Sequence, residues 1–181
     1  MKVEETALPG VAVLVADVYR DDRGAFQETW NLRKVAEAGL PSNWVQDNFS
    51  LSKRNVVRGI HYQLTEPQGK LVRVTHGAVL DVAVDLRRSS STFGKHVAVE
   101  LDSESGRMLW IPVGFGHAFL ALTETAGFAY KVTDYYSPGG ERTILWNDPD
   151  LAIPWPVPAE QAIVSVKDQA GVAFREAQVF G

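Results

Sequence analysis

The sequence predicts an all-β fold, a double-sheet jelly roll formed by one domain over residues 1–181, with one or two short helices. Apolar and polar side chains alternate with period two in about ten short segments, as in strands that bury one face. Turn-forming residues separate these segments at the spacing of a sandwich or barrel, and no helical segment recurs between them. With 45% hydrophobic residues, the chain has enough apolar surface for a sizeable core.

Strands and one helix are expected in order along the chain. The expected strands are 11–18, 25–31, 45–52, 55–63, 70–76, 78–86, 96–101, 107–111, 115–123 and 128–135. Residues 32–39 have a helix-forming composition and end in Gly39, a residue typical of helix C-termini. The tail beyond Pro154 contains two further prolines, Pro156 and Pro158, and predicts no definite element.

The composition excludes several classes of protein. The chain has no cysteine, so disulfides, zinc ribbons, iron–sulfur sites and thiol nucleophiles are excluded. Its 18 Lys and Arg against 22 Asp and Glu give a net charge of -4, so no overall basic field is present to bind nucleic acid, and an anionic ligand needs a local cluster of cations. The first ten residues, MKVEETALPG, contain no apolar run of signal-peptide length, and nowhere do eighteen apolar residues run together, so we expect neither a signal peptide nor a membrane span. We therefore expect a cytoplasmic protein without a nucleic-acid or membrane partner.

Three ionisable side chains lie at apolar positions of the expected strands. Lys70, His117 and Tyr130 each have apolar residues two positions away along the chain, so each would share a strand face with apolar side chains. Burying such groups is costly unless they are paired or line a wet cavity. One alternative is that these faces point to solvent, but several such strands together favour a polar pocket inside the roll.

A metal site is one hypothesis for this pocket. The pattern Pro112-x-Gly114-x-x-His117 resembles the second motif of the metal-binding cupins, whose histidines hold a divalent ion. The first cupin motif needs two histidines around one residue, whereas this chain has His61-Tyr62-Gln63. With four histidines in the chain, a full ligand set is hard to assemble, so we expect neither a metal nor another cofactor.

Acid–base chemistry without a metal is the second hypothesis. Removing a proton next to a carbonyl needs a base, a cation at the oxygen that gathers the enolate charge, and an acid that returns a proton. His61, Lys70 and Tyr130 suit these three roles, and His61 would need a carboxylate to fix its tautomer. Each also suits an ordinary structural role: a core histidine with its hydrogen bonds satisfied, a lysine at a solvated strand end, and a core tyrosine with a paired hydroxyl.

A series of motifs resembles one known family, the dTDP-4-dehydrorhamnose 3,5-epimerases. The motifs are QDN at 46–48, VRGIHYQ at 57–63, QGKLVR at 68–73, DVAVDLR at 81–87, TFG at 92–94, IPVGFGH at 111–117, YKVTDYY at 130–136, ILWNDP at 144–149 and SVKD at 165–168. They occur in order and with family-like spacing, so the series is far more specific than any single motif.

The resemblance implies a cupin-type jelly-roll homodimer that converts dTDP-4-dehydro-6-deoxy-D-glucose to dTDP-4-dehydro-L-rhamnose, in dTDP-L-rhamnose biosynthesis. Both carbons that change configuration, C3 and C5, flank the C4 ketone. By similarity, His61 is the base and Asp168 its orienting carboxylate. Lys70 stabilises the enolate oxygen, and Tyr130 is the acid on the opposite face of the sugar.

The resemblance also implies a set of substrate contacts. They are Arg23, Glu28, Gln46, Asn48, Arg58, Lys70, His117, Glu141 and Lys167, with Tyr136 stacked on thymine. Arg23 and Glu28 lie in an N-terminal segment that is expected to contribute across the dimer interface.

Strict alternation places Arg58 and His61 on opposite faces of their strand, whereas both are expected near one ligand. We therefore predict a bulge or bend at Gly59, since an interior glycine often marks such a site. Two other functions stay open from the sequence: an epimerase that acts only at C3 or only at C5 in the synthesis of unusual deoxysugars, and a non-catalytic sugar-nucleotide-binding cupin.

Overall fold

Two sheets, each of six strands, face each other and form the body of the protein. The structure is a computed structural model that describes all residues from 1 to 181. The strands are β1 (Lys2–Glu5), β2 (Ala12–Val15), β3 (Val18–Asp21), β4 (Gly24–Gln27), β5 (Gln46–Lys53), β6 (Val56–Gln63), β7 (Lys70–His76), β8 (Ala78–Asp85), β9 (His96–Asp102), β10 (Arg107–Ile111), β11 (Phe115–Ala121), β12 (Thr125–Val132), β13 (Glu141–Thr143) and β14 (Ile163–Val164). The helices are α1 (Leu32–Glu37) and α2 (Val166–Gln169), with single 3₁₀ turns at Ala159–Gln161 and Phe174–Glu176.

The order of the strands is that of a double-sheet roll. The first sheet has the order β1-β2-β10-β7-β12-β5, and the second has the order β13-β6-β11-β8-β9 with β14 added beside β6. Strands β3 and β4 form a separate two-stranded ribbon. The pairs are antiparallel except for the short pairing of β14 with β6. The predicted all-β jelly roll with one or two short helices is confirmed.

The main core lies between the two sheets, where alternate side chains of both meet. Phe119 of β11 and Phe128 of β12 stack with ring centroids 4.2 Å apart. Burying a side chain of this size contributes roughly 2–3 kcal/mol. The outer face of each sheet is also covered: the C-terminal segment packs on Ile60 and Tyr62 of β6, and α1 and its flanking residues pack on Leu71 and Trp110.

Several predicted boundaries are wrong. The expected strand 11–18 is divided into β2 and β3, because its two parts pair with different strands: β2 pairs with β10 in the first sheet, whereas β3 pairs with β4 in the ribbon. The expected strand 25–31 ends at Gln27, and the expected strand 128–135 runs from Thr125 to Val132. Strands β1, β13 and β14 and helix α2 were not predicted, because they are short and lack a clear period.

The predicted helix at 32–39 is confirmed, although it ends two residues earlier, at Glu37. The Asn31 side chain accepts hydrogen bonds from the N–H groups of Arg33 and Lys34, which caps the N-terminus. Gly39 has φ +78, the left-handed conformation that favours glycine after a helix. None of the helices has the length and apolar character needed to cross a membrane.

Candidate active site

One cavity, about 580 Å³ in volume, opens between the two sheets. This size is typical of a site for a small ligand. Lys70 and Tyr130 reach it from the first sheet, while His61 and His117 reach it from the second. Asp168 enters from α2. The sequence expectation of a polar pocket inside the roll is therefore confirmed, and its three ionisable side chains face one space.

His61 and Asp168 form a hydrogen-bonded pair at the wall of this cavity. His61 Nε2 lies 2.6 Å from Asp168 Oδ1, and the N–H of Gly59 donates to the other carboxylate oxygen at 3.3 Å. The hydroxyl of Ser165 caps α2 by accepting from the N–H of Asp168 at 3.1 Å, which fixes where the carboxylate stands.

The electrostatics of this pair set the tautomer of His61. Burial on its own raises the pKa of Asp168, but the hydrogen bond and charge of His61, together with the Gly59 N–H and Ser165, outweigh it and hold the pKa below its ordinary value. The carboxylate is therefore ionised at neutral pH and accepts a hydrogen bond from the Nε2–H of His61. This leaves His61 Nδ1 with a free lone pair, as a general base requires.

Lys70 and Tyr130 have environments that suit an electrophile and an acid. Burial lowers the pKa of Lys70 to about 8, although Asp81 and Glu141 oppose the shift. Its ammonium has no hydrogen-bond partner within the chain and is free for a ligand oxygen. Burial raises the pKa of Tyr130, against a smaller opposite effect of Arg58, so the phenol holds its proton at neutral pH.

A bulge at Gly59 brings Arg58 and His61 to the same cavity. On β11, Phe119 and His117 lie two residues apart, yet their partners on β6 are Arg58 and His61, three residues apart. Gly59 is the extra residue, with φ +118, and a Cβ there would lie 2.5 Å from the carbonyl oxygen of His117. The predicted irregularity is confirmed, and its physical reason is that only glycine fits this position.

Other expected site residues form a hydrogen-bonded group that reaches the cavity through Lys167 and Asn48, although Gln46, Tyr136 and Glu141 do not line it. Lys167 and the hydroxyl of Tyr136, the latter at 2.8 Å, both donate to the same oxygen of Glu141. Burial raises the pKa of Glu141, but these two partners outweigh it and keep the carboxylate ionised. Gln46 donates to Asn48 at 2.8 Å beside them. Tyr136 is 51% exposed, so its ring face is open to an aromatic ligand group.

Two expected contact residues, Arg23 and Glu28, are not brought to the cavity by their own chain. Arg23 lies at the turn of the β3–β4 ribbon, where its guanidinium pairs with Asp21. Glu28 pairs with Lys34 at 2.8 Å. Neither residue lines the cavity that contains His61.

Sequence reasoning missed Asp81, which is fully buried behind His117. His117 Nε2 lies 3.1 Å from each carboxylate oxygen of Asp81. The available signal was a charged residue in the middle of β8, a strand whose other residues are apolar up to Asp85 at its end. Nowhere in the chain do three or more His, Asp or Glu side chains form a group that could hold a metal ion.

Comparison with known proteins identifies the family. A sequence model described as dTDP-4-dehydrorhamnose 3,5-epimerase matches residues 5–176. The chain belongs to this family. Within the dTDP-4-dehydrorhamnose 3,5-epimerase family, a relative of that name from Pseudomonas aeruginosa is 50% identical over 181 residues and is covered to 99%, as is this chain. The family name describes an isomerase.

Two further relatives differ in the reaction that their names describe. The crystal structure of the Legionella pneumophila dTDP-6-deoxy-D-glucose-3,5-epimerase in complex with dTDP-4-keto-L-rhamnose has a TM-score of 0.94 and 44% identity, covering 98% of this chain and 94% of that one. A Streptomyces niveus protein named dTDP-4-dehydrorhamnose 3-epimerase is 36% identical, with 100% of this chain and 87% of that protein covered. Identity is therefore higher to the two relatives named as double epimerases than to this single epimerase.

Proposed function

We propose that residues 1–181 form one epimerase domain that inverts C3 and C5 of dTDP-4-dehydro-6-deoxy-D-glucose and yields dTDP-4-dehydro-L-rhamnose, without a cofactor, in the cytoplasm. The observation that carries the proposal is the convergence of the His61–Asp168 pair, Lys70 and Tyr130 on one cavity. These groups supply a base, an oxyanion partner and an acid, which are the three requirements for moving a proton next to a ketone.

The reaction follows from the positions of these groups. His61 Nδ1 takes the proton from C3 or C5, and the electron pair of the broken C–H bond moves into the C3–C4 or C4–C5 bond, giving an enolate at the C4 oxygen. The ammonium of Lys70 stabilises this oxygen. The phenol of Tyr130 returns a proton to the opposite face of the carbon. Each cycle leaves an imidazolium and a phenolate, which exchange protons with water before the second carbon reacts.

The nucleotide part of the substrate carries two phosphates and a thymine. Arg58 and Lys167 supply positive charge at the cavity, and the open ring face of Tyr136 suits stacking on thymine. Gln46, Asn48, Glu141 and His117 provide the polar contacts around the sugar and the nucleoside. The local cations thus offset the net charge of -4 that the chain carries as a whole.

We propose a homodimer in which the β3–β4 ribbon of one protomer completes the site of its partner. Arg23 lies outside the cavity of its own chain, on a ribbon that also exposes 64% of Tyr19 and 69% of Phe26. These two rings lie 6.5 Å apart, beside Arg23. An exposed aromatic pair next to a cation is suited to an interface with an anionic ligand.

Mixing two inactive variants tests this arrangement. In a mixed dimer of His61→Asn and Arg23→Ala protomers, one of the two sites has both an intact His61 and an intact Arg23 from the other protomer. Random exchange of subunits makes about half of the dimers mixed, so about a quarter of wild-type activity is expected to return. Activity that stays at the level of the separate variants would place Arg23 in the site of its own chain, and an Arg23→Ala protein that is active by itself would place Arg23 outside any site.

The catalytic proposal is tested by determining the configuration of the product. Incubation with dTDP-4-dehydro-6-deoxy-D-glucose, followed by NMR spectroscopy, is expected to give a product inverted at both C3 and C5. His61→Asn is expected to abolish both inversions. A product inverted at one carbon only would place the chain with the single epimerases, and nucleotide-sugar binding without turnover would make it a binding protein.

A further inference from the structure

A second histidine–carboxylate pair lies beside the first. His117 of β11 is the direct cross-strand neighbour of His61 on β6. Just as Asp168 lies behind His61, Asp81 of β8 lies behind His117, with both carboxylate oxygens 3.1 Å from Nε2. Both histidines line the cavity. The proposed reaction uses Asp168, the carboxylate of the first pair, but not Asp81, the carboxylate of the second pair.

Asp81 is a costly residue at its position. It is fully buried in the interior of the roll, and its carboxylate has no hydrogen-bond partner other than His117. An apolar residue of similar size would pack there without any cost of desolvation. A buried carboxylate with one ring nitrogen as partner therefore points to a role in the orientation and charge of that ring.

The other ring nitrogen of His117 remains available to a ligand. Nδ1 has no hydrogen-bond partner in the chain and is not fully buried. Because His117 lines the cavity, a ligand there can reach this nitrogen. The ring itself is held against Phe128, with centroids 5.9 Å apart and planes inclined by 22°. Burial lowers the pKa of His117, and the charges of Lys70 and His61 lower it further, against the opposite effect of Asp81. A neutral ring whose Nε2–H donates to Asp81 has a free lone pair on Nδ1.

We propose that Asp81 is a positioning residue: it holds His117 in the tautomer with the proton on Nε2, so that Nδ1 accepts a hydrogen bond from a hydroxyl of the bound sugar. The inference rests on the proposed function, because the sugar is its ligand. The same ring in the opposite tautomer would donate from Nδ1 and would favour a carbonyl or phosphate oxygen instead. Asp81 thus selects which chemical group of the substrate meets this wall of the cavity.

Asp81 also supplies negative charge near Lys70. The carboxylates that face Lys70 or share its cavity are Asp81, Glu141 and Asp168. The remaining charged or titratable groups of the cavity are Arg58, His61, His117, Tyr130 and Lys167. Directly opposite Lys70 on the two neighbouring strands are the apolar Ile111 and Val132. Of all these groups, Asp81 and Glu141 are the two that favour the ammonium.

The tautomer is tested directly on the unmodified protein. In nitrogen-15 spectra of protein labelled at histidine, assigned with His117→Gln, His117 is expected to carry its proton on Nε2 and none on Nδ1 between about pH 7 and pH 8. A proton on Nδ1, in either the other neutral tautomer or the imidazolium, would overturn the proposal. This measurement needs no substrate, so it remains decisive even if the chain does not epimerise the proposed sugar.

Asp81→Asn then separates a positioning role from a merely structural one. The amide is expected to weaken the preference for the Nε2 proton and to move the alkaline limb of the pH profile of kcat/KM down by about one pH unit, since Lys70 loses a buried counter-charge. Asp150→Asn, at an exposed pair with Arg175, is the matched control and should leave both readouts unchanged. A folded Asp81→Asn protein with the wild-type tautomer and pH profile would refute the role.

Discussion

Replacing Asp168 with asparagine tests how the protein turns His61 into a base. The carboxylate accepts two hydrogen bonds, from His61 at 2.6 Å and from the Gly59 N–H at 3.3 Å, through different oxygens. An amide has a single oxygen and cannot accept both. If that oxygen faces Gly59, the amide NH₂ donates to His61 Nε2, so the ring proton moves to Nδ1 and the base is lost. If the amide oxygen faces His61, the amide NH₂ points at the N–H of Gly59. Two donors then face each other, which costs about 1–3 kcal/mol.

The size of the effect follows from what is removed. General-base catalysis contributes about 10²–10⁴-fold to the rate, and the replaced hydrogen bond is charge-assisted, with a net contribution of about 1.5–3 kcal/mol. We therefore expect Asp168→Asn to lower kcat by about 10³-fold and to change KM much less, because Asp168 acts on the chemical step through His61.

The assay is the initial rate of epimerisation, followed by NMR, with thermal unfolding measured on the same samples. Asp150→Asn is the matched control, because its exposed ion pair with Arg175 contributes little to stability and lies outside the cavity. A folded Asp168→Asn protein whose kcat stays within about tenfold of the wild-type value would refute the assignment, because a general base deprived of its orienting carboxylate loses more than that.

Three further predictions concern the bulge, the lysine and a buried carboxylate. Gly59→Ala places a Cβ 2.5 Å from the carbonyl oxygen of His117 and should lower the free energy of unfolding in urea by roughly 1–3 kcal/mol, whereas Gly139→Ala, which meets no atom within 4 Å, should not. Because the pKa of Lys70 is about 8, kcat/KM should fall as the pH rises through that value; a flat profile up to pH 10 would contradict the role of the ammonium. Burial raises the pKa of Asp85, but hydrogen bonds from Arg87, Thr92 and Ser90 outweigh it and hold the pKa well below its ordinary value. The stability from Asp85 is therefore full above about pH 4 and lost as the pH falls below it, so Asp85→Asn should cost about 3–5 kcal/mol at pH 7 and less near pH 2, as urea unfolding at both pH values would show.

The period-two pattern was sufficient to predict the class of fold and most of the inner strands. Strand β7 shows this pattern, because Val72 and Val74 face the main core and alternate with the less buried Arg73 and Thr75. The short strands β1, β13 and β14 bury too little to carry such a pattern. The position at which the segment 11–18 divides depends on where its pairing changes from β10, which is distant in sequence, to β4.

The site was predicted in part, for similar reasons. Gly59 gave a local sign of the bulge that aligns Arg58 with His61, because a glycine inside a strand often marks a bulge or a close approach of another backbone. The pairing of His117 with Asp81 depends on the register between β11 and β8, which no local pattern records. The proposed role of Arg23 requires a second protomer, so this role remains a prediction.

The most direct test of the account is the number of carbons that exchange hydrogen during turnover. With wild-type protein and dTDP-4-dehydro-6-deoxy-D-glucose in deuterated water, mass spectrometry and NMR are expected to find one deuterium at C3 and one at C5 in the inverted product, because one base beside one ketone reaches both carbons. Deuterium at neither carbon, or at one alone after complete reaction, would contradict the claim that this cavity is the active site of a double epimerase.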